Sequence, residues 1–447
     1  MHTITEPTRD VPVLDEVDLC VLGGSCTGVF AAVRAARLGM RVAIVEKQNC
    51  FGGVATCGLV NVWHSLWDTE KQQQIISGLT EEVIDRLRRR DAVTAFPDPR
   101  GHYRLNTFEL MIELDELVTE AGVVPHLHTM YVAPHTRGGR LDSVIVESKS
   151  GRGAIRAGVF IDATGDGDLC AHLALPEYTP DHGQPPTTCA NIYRDPEIEF
   201  ALDAAIAEHG TEFGLEDDWG WRGPVPGLNG VTMHADHHVF DEDLLSAPGL
   251  TRAEIEGRRK CRAVMDIIRR HGPEGSAPVL MALPSYIGIR QTRQFACAHR
   301  LTEADVLSGR RFGDAIANGT YPVDIHHSDK PGLTFRYLDG RERYARRGAP
   351  TVEGRWRPET AENPTFYQAP YGCLLPKGAP GNLLACGRML DADEGAFAAI
   401  RVMVNLNQMG EAGGIAACLA LDAGCDVDAV DTVILRKTLA DGGSAVV

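Results

Sequence analysis

The chain has 447 residues, which is long enough for two domains or for one large domain with an insertion. Its composition, with 44% hydrophobic and 23% charged residues, is typical of a soluble globular protein. Its net charge of −17, from 44 basic and 61 acidic residues, disfavours nucleic acid or an anionic membrane surface as the main partner. We find no secretory signal and no apolar run near the roughly 20 residues of a membrane span. The twelve cysteines contain no C-x-x-C pair, so we expect a cytoplasmic protein whose cysteines are reduced.

A strand, a glycine-containing turn and a helix follow one another near the N-terminus. Residues 18–22 are a short apolar run that predicts a buried parallel strand, and residues 26–38 carry apolar side chains at helical spacing. A second apolar run at residues 41–46 completes a βαβ unit. The turn and the helix start contain Gly23, Gly24, Ser25, Cys26, Thr27 and Gly28.

This turn has the properties of an anion site. The first N–H groups of a helix have no partner within the helix, and its dipole favours an anion there, such as the pyrophosphate of a dinucleotide. Glu46 follows Gly23 by 23 residues and ends the second strand, where it can accept a ribose hydroxyl. Ser25 replaces an expected glycine, but serine is small and its hydroxyl can bond a phosphate oxygen. The unit predicts a dinucleotide site; the alternative is an ordinary strand–turn–helix.

Three further segments extend this prediction. Gly52-Gly53-Val54 follow Glu46 and Lys47 within a few residues, so that backbone can approach the cofactor. A buried strand near residues 159–163 ends in Thr164-Gly165-Asp166. Residues 382–388 read as a strand with a polar loop, and a small-residue helix follows from about Gly410 to Leu421. Glycine-rich turns in this order favour FAD over NAD.

On these motifs the chain resembles the FAD-dependent oxidoreductases of the glutathione-reductase-like flavoprotein superfamily, in the branch with fumarate reductases and 3-ketosteroid dehydrogenases. The resemblance covers nearly the whole chain and implies FAD as the cofactor. It implies that Gly23, Ser25 and Gly28 lie at the pyrophosphate and Glu46 at the adenosine ribose. The other implied cofactor residues are Gly24, Cys26, Thr27, Lys47, Gly52, Gly53, Val54, Ala163, Thr164, Gly165 and Asp166, and, toward the ribityl chain and ring, Gly387, Arg388, Arg401, Gly410 and Glu411. For Arg401, a structural ion pair is the competing interpretation.

The resemblance also implies an α/β fold. A Rossmann-like FAD-binding domain, with a parallel sheet, helices and a small β-hairpin layer, would be interrupted by a mixed α+β substrate domain. We place the cofactor domain at residues 1–174 and 365–447 and the substrate domain at residues 175–364.

Local patterns predict several individual elements. Capping boxes at Thr251 and Thr302 start helices, the first of which runs to Gly272-Pro273. Residues 141–147 and 155–157 form a hairpin. A helix over residues 106–120 buries Phe108, Leu110, Met111, Leu114 and Leu117.

The candidate catalytic groups lie in the predicted substrate domain. In an extended segment, Asp324 and His326 share one face; histidine suits proton transfer near neutral pH, and the aspartate can orient it. The alternative is a surface strand with a solvated polar face. Arg290, in an otherwise apolar run, is a candidate for binding a substrate carboxylate or stabilising reduced flavin, with a structural ion pair as an equal alternative.

Other reactive residues have simpler interpretations. Cys50 and Cys57 do not have the spacing of a disulfide reductase and are interpreted as packed thiols. His64 follows the glycine pair and is expected near the flavin ring. No group of Cys, His and carboxylates has zinc-site spacing, so no metal is predicted.

The sequence therefore predicts a FAD enzyme that transfers a hydride between flavin and a small organic substrate such as an alcohol, a sugar-like molecule or an amine. The substrate, the electron acceptor and the oligomeric state stay open. Two alternatives remain: a flavin monooxygenase using NAD(P)H and O2, and a non-catalytic dinucleotide-binding protein of regulation or assembly.

Overall fold

The structure is a computed structural model that describes residues 3–447. Its strands, in chain order, are β1 (Val13–Leu22), β2 (Val42–Val45), β3 (Val62–Trp63), β4 (Val93–Phe96), β5 (His102–Leu105), β6 (Val124–His126), β7 (Thr129–Arg137), β8 (Arg140–Ser148), β9 (Gly151–Asp162), β10 (Glu177–Tyr178), β11 (Ala190–Tyr193), β12 (Trp221–Pro224), β13 (Val231–Ala235), β14 (Val279–Ala282), β15 (Gln294–Phe295), β16 (Ala315–Gly319), β17 (Val323–His326), β18 (Leu333–Arg336), β19 (Arg341–Ala345), β20 (Val352–Arg355), β21 (Tyr367–Pro370) and β22 (Leu383–Ala385). Its α-helices are α1 (Cys26–Arg37), α2 (Leu79–Arg88), α3 (Thr107–Glu120), α4 (Asp168–His172), α5 (Leu202–His209), α6 (Ala247–His271), α7 (Glu303–Leu307), α8 (Glu394–Ile400), α9 (Met403–Ala423) and α10 (Thr432–Asp441).

The largest sheet has seven strands in the order β6-β2-β1-β9-β8-β7, with β22 also paired to β9. Strands β6, β2, β1, β9 and β22 run parallel, whereas β7, β8 and β9 form an antiparallel meander. Leu22 is in register with Val45 and with Asp162, so the carboxyl ends of three strands meet at one edge. Open α/β sheets bind ligands at this edge. The predicted α/β fold with a Rossmann-like parallel sheet is confirmed.

Helix α1 is held between this sheet and helix α9. Its first ten residues are all buried. A Cβ added to Gly414 of α9 would lie 2.2 Å from the carbonyl oxygen of Ala31, so the two helices approach more closely than any larger residue would allow. This packing fixes the start of α1 beside the carboxyl edge of the sheet.

The middle of the chain forms smaller antiparallel sheets. One has the order β12-β13-β11-β14 and another the order β17-β18-β19-β20. The middle of the chain shares a hydrophobic core with the large sheet. This core contains residues of α1 and α9 together with Leu301, Ile316 and Val323. Val323 of β17 thus packs the second sheet against the core formed by α1 and α9.

Two predicted element boundaries are wrong. Strand β9 is continuous over Gly151–Asp162, where two short strands were expected, because parallel pairing with β1 carries it past Gly158. Helix α6 begins at Ala247 rather than at Thr251, with the Ser246 hydroxyl accepting the N–H of Gly249 at 3.2 Å. A proline in the first turn of α6 fits this earlier start.

Other local predictions are confirmed in part. The Thr302 capping box is present at the start of α7. Helix α3 begins at Thr107 with Asn106 as its cap, and Leu110, Leu114 and Leu117 are buried as expected. Phe108 is 41% exposed instead, because it lies at the first turn, beyond the edge of the core-facing stripe.

None of the helices within residues 3–447 combines the length and the apolar character that crossing a bilayer requires.

Candidate functional site

A cavity of about 520 Å³ opens at the carboxyl edge of the parallel strands, a size typical of ligand sites. Gly23, Glu46 and Ala163, which directly follow β1, β2 and β9, all line it. The predicted cofactor residues at its wall are Gly23, Ser25, Cys26, Thr27, Glu46, Lys47, Gly52, Gly53, Val54, Ala163, Thr164, Gly165, Asp166, Gly387, Arg388 and Arg401. The predicted catalytic residues Arg290, Asp324 and His326 line the same cavity.

The start of α1 is an uncapped helix N-terminus in the cavity wall. Ser25 takes the cap position with φ −62° and ψ 169°, an extended conformation that any residue adopts, so the serine causes no backbone strain. Its side chain makes no capping bond, and no acceptor within residues 3–447 takes the N–H groups of Cys26 or Thr27. These free donors and the helix dipole suit a diphosphate.

Glu46 is fixed by the turn that it faces. Its Oε2 accepts the N–H of Gly24 at 2.7 Å and its Oε1 accepts the N–H of Gln48 at 2.8 Å. The side chain is 8% exposed and lines the cavity, so its remaining lone pairs suit a ribose hydroxyl.

Gly24 and Gly28 lie behind the wall, which corrects their predicted contact with the cofactor. A Cβ on Gly24 would lie 2.6 Å from the Phe51 ring, and one on Gly28 would lie 1.9 Å from the carbonyl oxygen of Gly23. Both glycines allow close packing of the turn rather than contact with a ligand.

Gly410 and Glu411 require the larger correction, because they lie in the α1–α9 interface and outside the cavity wall. A Cβ on Gly410 would lie 2.2 Å from the carbonyl oxygen of Thr27. Glu411 is fully buried, and its Oε2 accepts the Arg34 Nε–H at 3.1 Å while its Oε1 accepts the Leu79 N–H at 3.0 Å. The part of α9 that lines the cavity comes earlier and comprises Met403, Leu406 and Asn407.

We expect Gly410→Ala to weaken both the fold and cofactor retention. The new methyl group would push α9 away from Thr27, whose N–H belongs to the uncapped helix start. Overpacking of this kind lowers the free energy of unfolding by about 1–3 kcal/mol. Urea unfolding and the bound flavin per chain measure the two effects. Gly354→Ala is the matched control, since its Cβ would meet nothing within 4 Å; equal behaviour of the two variants would contradict the packing role.

An ion pair joins the two predicted polar loops that follow β9 and β22. Arg388 Nη2 lies 2.6 Å from Asp166 Oδ1, and the Thr292 hydroxyl donates to the same oxygen at 2.7 Å. Burial opposes ionisation of Asp166, but Arg388 and Thr292 lower its pKa below the usual value. This pair fixes the polar loops after β9 and β22 beside each other at the cavity.

Strand β17 places the predicted catalytic pair. Asp324 and His326 are 3% and 4% exposed, which contradicts the alternative of a solvated surface strand. His326 Nε2 lies 3.1 Å from Asp324 Oδ2. The Tyr321 hydroxyl donates to the same oxygen at 2.6 Å, and Arg401 Nη2 lies 3.2 Å from it. Arg401 therefore has the structural ion pair that competed with a flavin role, while it also lines the cavity.

The sequence did not reveal His238, which contacts His326, or Asp218, which contacts His238. His238 Nε2 lies 2.8 Å from His326 Nδ1, and His238 Nδ1 lies 2.9 Å from Asp218 Oδ1. All four side chains are buried. We call Asp218, His238, His326 and Asp324 the Asp-His-His-Asp chain. The sequence signal was the adjacent pair His237-His238, without any spacing that links it to His326.

Burial sets the protonation of this chain. Loss of water and the Arg290 cation together lower the pKa of His326 to about 3, against the opposing effect of Asp324. Burial also lowers the pKa of His238. It opposes ionisation of Asp324, but the contacts with His326, Arg401 and Tyr321 lower the pKa of that carboxyl. At neutral pH the imidazoles are uncharged and the carboxylates ionised.

Arg290 has no carboxylate partner within 4.0 Å among residues 3–447, so the predicted alternative of a structural ion pair is wrong. Its Nη1 donates to the Pro185 carbonyl at 2.8 Å and to the Thr187 hydroxyl at 2.6 Å. Burial and Arg401 lower its pKa to about 10, which leaves it a cation at neutral pH. It therefore brings a cation without a contacting carboxylate to the cavity wall, although the nearby Asp324 acts to raise its pKa.

Two thiols, a histidine in the cavity wall and a cluster of possible metal ligands lie outside the groups described so far. Cys50 Sγ and Cys57 Sγ lie 3.3 Å apart. His64 lines the cavity with its ring centroid 3.9 Å from that of Tyr321. Although the sequence predicted no metal site, His209, Glu212 and His271 bring their ligand atoms within 4.8 Å of one another on α5, the turn after it and α6, away from the cavity.

The comparison with known families decides the identity. Residues 18–439 match the family model described as "FAD dependent oxidoreductase". The chain belongs to this family. It is an oxidoreductase enzyme with FAD as its cofactor, and the free N–H groups at the start of α1 and the buried Glu46 fit the diphosphate and a ribose of that cofactor.

Individual relatives are distant. A segment is 31% identical over 87 residues to the mitochondrial dihydrolipoyl dehydrogenase of Schizosaccharomyces pombe, covering 17% of this chain and 17% of that protein's length. Among solved structures, a geranylgeranyl bacteriochlorophyll reductase-like protein from Thermoplasma acidophilum is similar at TM-score 0.43 and 11% identity, over 96% of this chain and 84% of that chain. A p-nitrophenol 4-monooxygenase from Pseudomonas putida DLL-E4 is similar at TM-score 0.42 and 12% identity, over 64% of this chain and 71% of that chain.

Proposed function

We propose that this FAD-dependent oxidoreductase dehydrogenates a small organic molecule that carries an anionic group. The observation that carries the proposal is the shared cavity: its wall contains the cofactor segments of the parallel sheet together with Arg290, Asp324 and His326. The reacting part of the substrate is an alcohol, a sugar-like carbinol or an amine, which must lose a proton as well as a hydride.

The cofactor residues have separate tasks in this proposal. The N–H groups of Cys26 and Thr27 hold the diphosphate, Glu46 holds a ribose, and Asp166 with Arg388 fixes the loops around the middle of the cofactor. When bound, FAD supplies the acceptor for the substrate hydride. Residues 1–174 and 365–447 provide most of this wall, and we assign the substrate role to residues 175–364.

The Asp-His-His-Asp chain is suited to take up one proton. It contains three close contacts: Asp218 with His238, His238 with His326, and His326 with Asp324. Each contact joins two atoms that are acceptors unless a proton lies between them, and two neutral imidazoles supply only two protons. One contact therefore has no proton in the resting state.

The tautomers of the two histidines decide which contact lacks the proton. When His238 Nδ1 donates to Asp218 and His326 Nδ1 donates to His238 Nε2, the contact without a proton is that of His326 Nε2 with Asp324 Oδ2, 3.1 Å apart. Uptake of one proton from the substrate hydroxyl or ammonium by the chain completes the third hydrogen bond. The carboxylate of Asp324 then opposes burial and Arg290, which lower the pKa of His326 in the resting state.

We expect Arg290→Ala to raise the KM of an anionic substrate by about 10- to 100-fold, since a charged hydrogen bond contributes about 1.5–3 kcal/mol. Bound FAD should stay unchanged, because Arg290 contacts Pro185 and Thr187 rather than the glycine turns. Arg290→Lys should recover only part of the loss, because lysine lacks the planar fork. Steady-state kinetics measure the effect, and Arg269→Ala at the exposed end of α6 is the control. An unchanged KM would remove Arg290 from substrate binding.

The proposal is tested by anaerobic titration of the purified flavoprotein with alcohols, sugars and amines, each with and without a carboxylate or phosphate group. One class should abolish the oxidised flavin absorbance, and its anionic members should do so at lower concentration. Bleaching only by NAD(P)H, with a hydroxylated product in O2, would replace dehydrogenation by monooxygenation. No bleaching by any compound would favour the non-catalytic alternative.

A further inference from the structure

Cys50 and Cys57 form a thiol pair that the proposed dehydrogenation does not use. Their sulfurs are 3.3 Å apart, whereas a disulfide bond is about 2.05 Å long. Of the twelve cysteines, all within residues 3–447, no other two bring their sulfurs within hydrogen-bonding distance. Closing the bond requires a movement of little more than 1 Å.

The loop between the two cysteines is shaped to bring them together. Gly52 and Gly53 have φ of +108° and +57°, left-handed values that let the chain turn back sharply. The Gly52 N–H donates to the Gly24 carbonyl at 2.8 Å, and the Thr56 hydroxyl donates to the Phe51 carbonyl at 2.5 Å. These bonds hold the turn, so the approach of the sulfurs is a property of the backbone and not of two free rotamers.

The two thiols differ in position and in reactivity. Both are buried, at 5% exposed for Cys57 and 3% for Cys50, but Cys57 lines the cavity and Cys50 does not. The hydrogen bond from the Cys50 thiol, aided by Ser285, lowers the pKa of Cys57 to about 7 despite burial and the nearby Glu46. The same contact and burial raise the pKa of Cys50, with Asp115 adding to the effect. Cys57 is therefore the attacking thiolate and Cys50 the resolving thiol.

We propose that Cys50 and Cys57 are a dithiol–disulfide redox centre in the cavity wall that reduces a low-molecular-weight disulfide. The Cys57 thiolate attacks one sulfur of the disulfide RSSR, whose S–S bond breaks, and one RSH leaves after protonation. The Cys50 thiol then loses its proton, and its sulfur attacks that of Cys57 and displaces the second RSH. In total, two protein thiols are oxidised to one disulfide and RSSR is reduced to two RSH.

The test uses the flavin-loaded protein, reduced with a phosphine, desalted, and incubated anaerobically with glutathione disulfide. After acid quenching, N-ethylmaleimide alkylation and digestion, mass spectrometry should find Cys50 and Cys57 joined, with two glutathione molecules released per chain. Cys50→Ser should stop at a mixed disulfide of glutathione with Cys57. Cys57→Ser should give neither product.

Cys261→Ser is the matched control, because that half-buried thiol hydrogen-bonds the Thr188 carbonyl and has no second sulfur of residues 3–447 within bonding distance, and the variant should react as the wild type does. Alkylation of both Cys50 and Cys57 in the treated wild type would overturn the proposal without any variant, and so would glutathione found only on another cysteine. Bound flavin is measured separately by its absorbance. The thiol result can therefore be interpreted even if the dehydrogenase proposal fails.

Discussion

Replacing His326 by alanine is expected to slow flavin reduction by the true substrate about 10²- to 10⁴-fold, the usual contribution of a positioned proton acceptor. The loss follows from removing the imidazole that joins His238 to Asp324, without which the Asp-His-His-Asp chain cannot take up the proton. FAD content should stay at the wild-type level, because His326 makes no contact with the glycine turns. Anaerobic stopped-flow measurement of flavin absorbance gives the rate.

A neighbouring histidine provides the control. His327 bonds the Thr334 hydroxyl at 2.8 Å and does not line the cavity, so His327→Ala should reduce flavin at nearly the wild-type rate. The pH profile is a second check. Because burial lowers the pKa of His326 to about 3, its proton-accepting form should persist as the pH falls and be lost only near pH 3. A wild-type rate in His326→Ala would remove this residue from the chemistry.

The second large effect is expected from Glu411→Gln, which should lower the free energy of unfolding by about 3–5 kcal/mol. Glutamine nearly preserves the shape of the side chain but leaves Arg34 as a buried cation, 7% exposed, without its carboxylate partner. The amide also replaces one of the oxygens that serve the Leu79 N–H and Arg34. Urea unfolding followed by circular dichroism measures the change.

An exposed acid–base pair distinguishes burial from simple loss of charge. Asp441 pairs with Lys437 on α10, and both side chains are more than half exposed. Exposed pairs contribute little to stability, so Asp441→Asn should have the same free energy of unfolding as the wild type. Similar stability of Glu411→Gln and the wild type would show that α1 and α9 do not depend on this contact.

The sequence was most informative where one local pattern determines one element. The turn around Gly23 and the apolar periodicity after Cys26 are both local signals, and they correctly predicted β1, α1 and β2. The start of α6 was misplaced because Ser246 and Thr251 both open plausible capping patterns, and only Ser246 has its hydroxyl beside a free first-turn N–H. Phe108 was expected in the core because helical spacing does not show where a core ends.

The candidate site was predicted less completely. Small residues mark close approach of backbone, but the approach can be to a ligand or to another helix, and Gly410 meets Thr27 rather than the cavity. Contacts across long separations gave no local signal. Asp166 and Arg388 are 222 residues apart, and His238 and His326 are 88 apart. Such pairs become visible only once the fold has brought their elements together.

A crystal structure of the protein with FAD and an anionic substrate would show whether flavin and substrate share the cavity with His326. We expect the diphosphate at the N–H groups of Cys26 and Thr27, a ribose at Glu46, and the substrate between the flavin ring and the Arg290–His326 side of the cavity. Density for the dinucleotide away from the start of α1, or a flavin ring that leaves His326 on the far side of the protein from the substrate, would contradict this expectation.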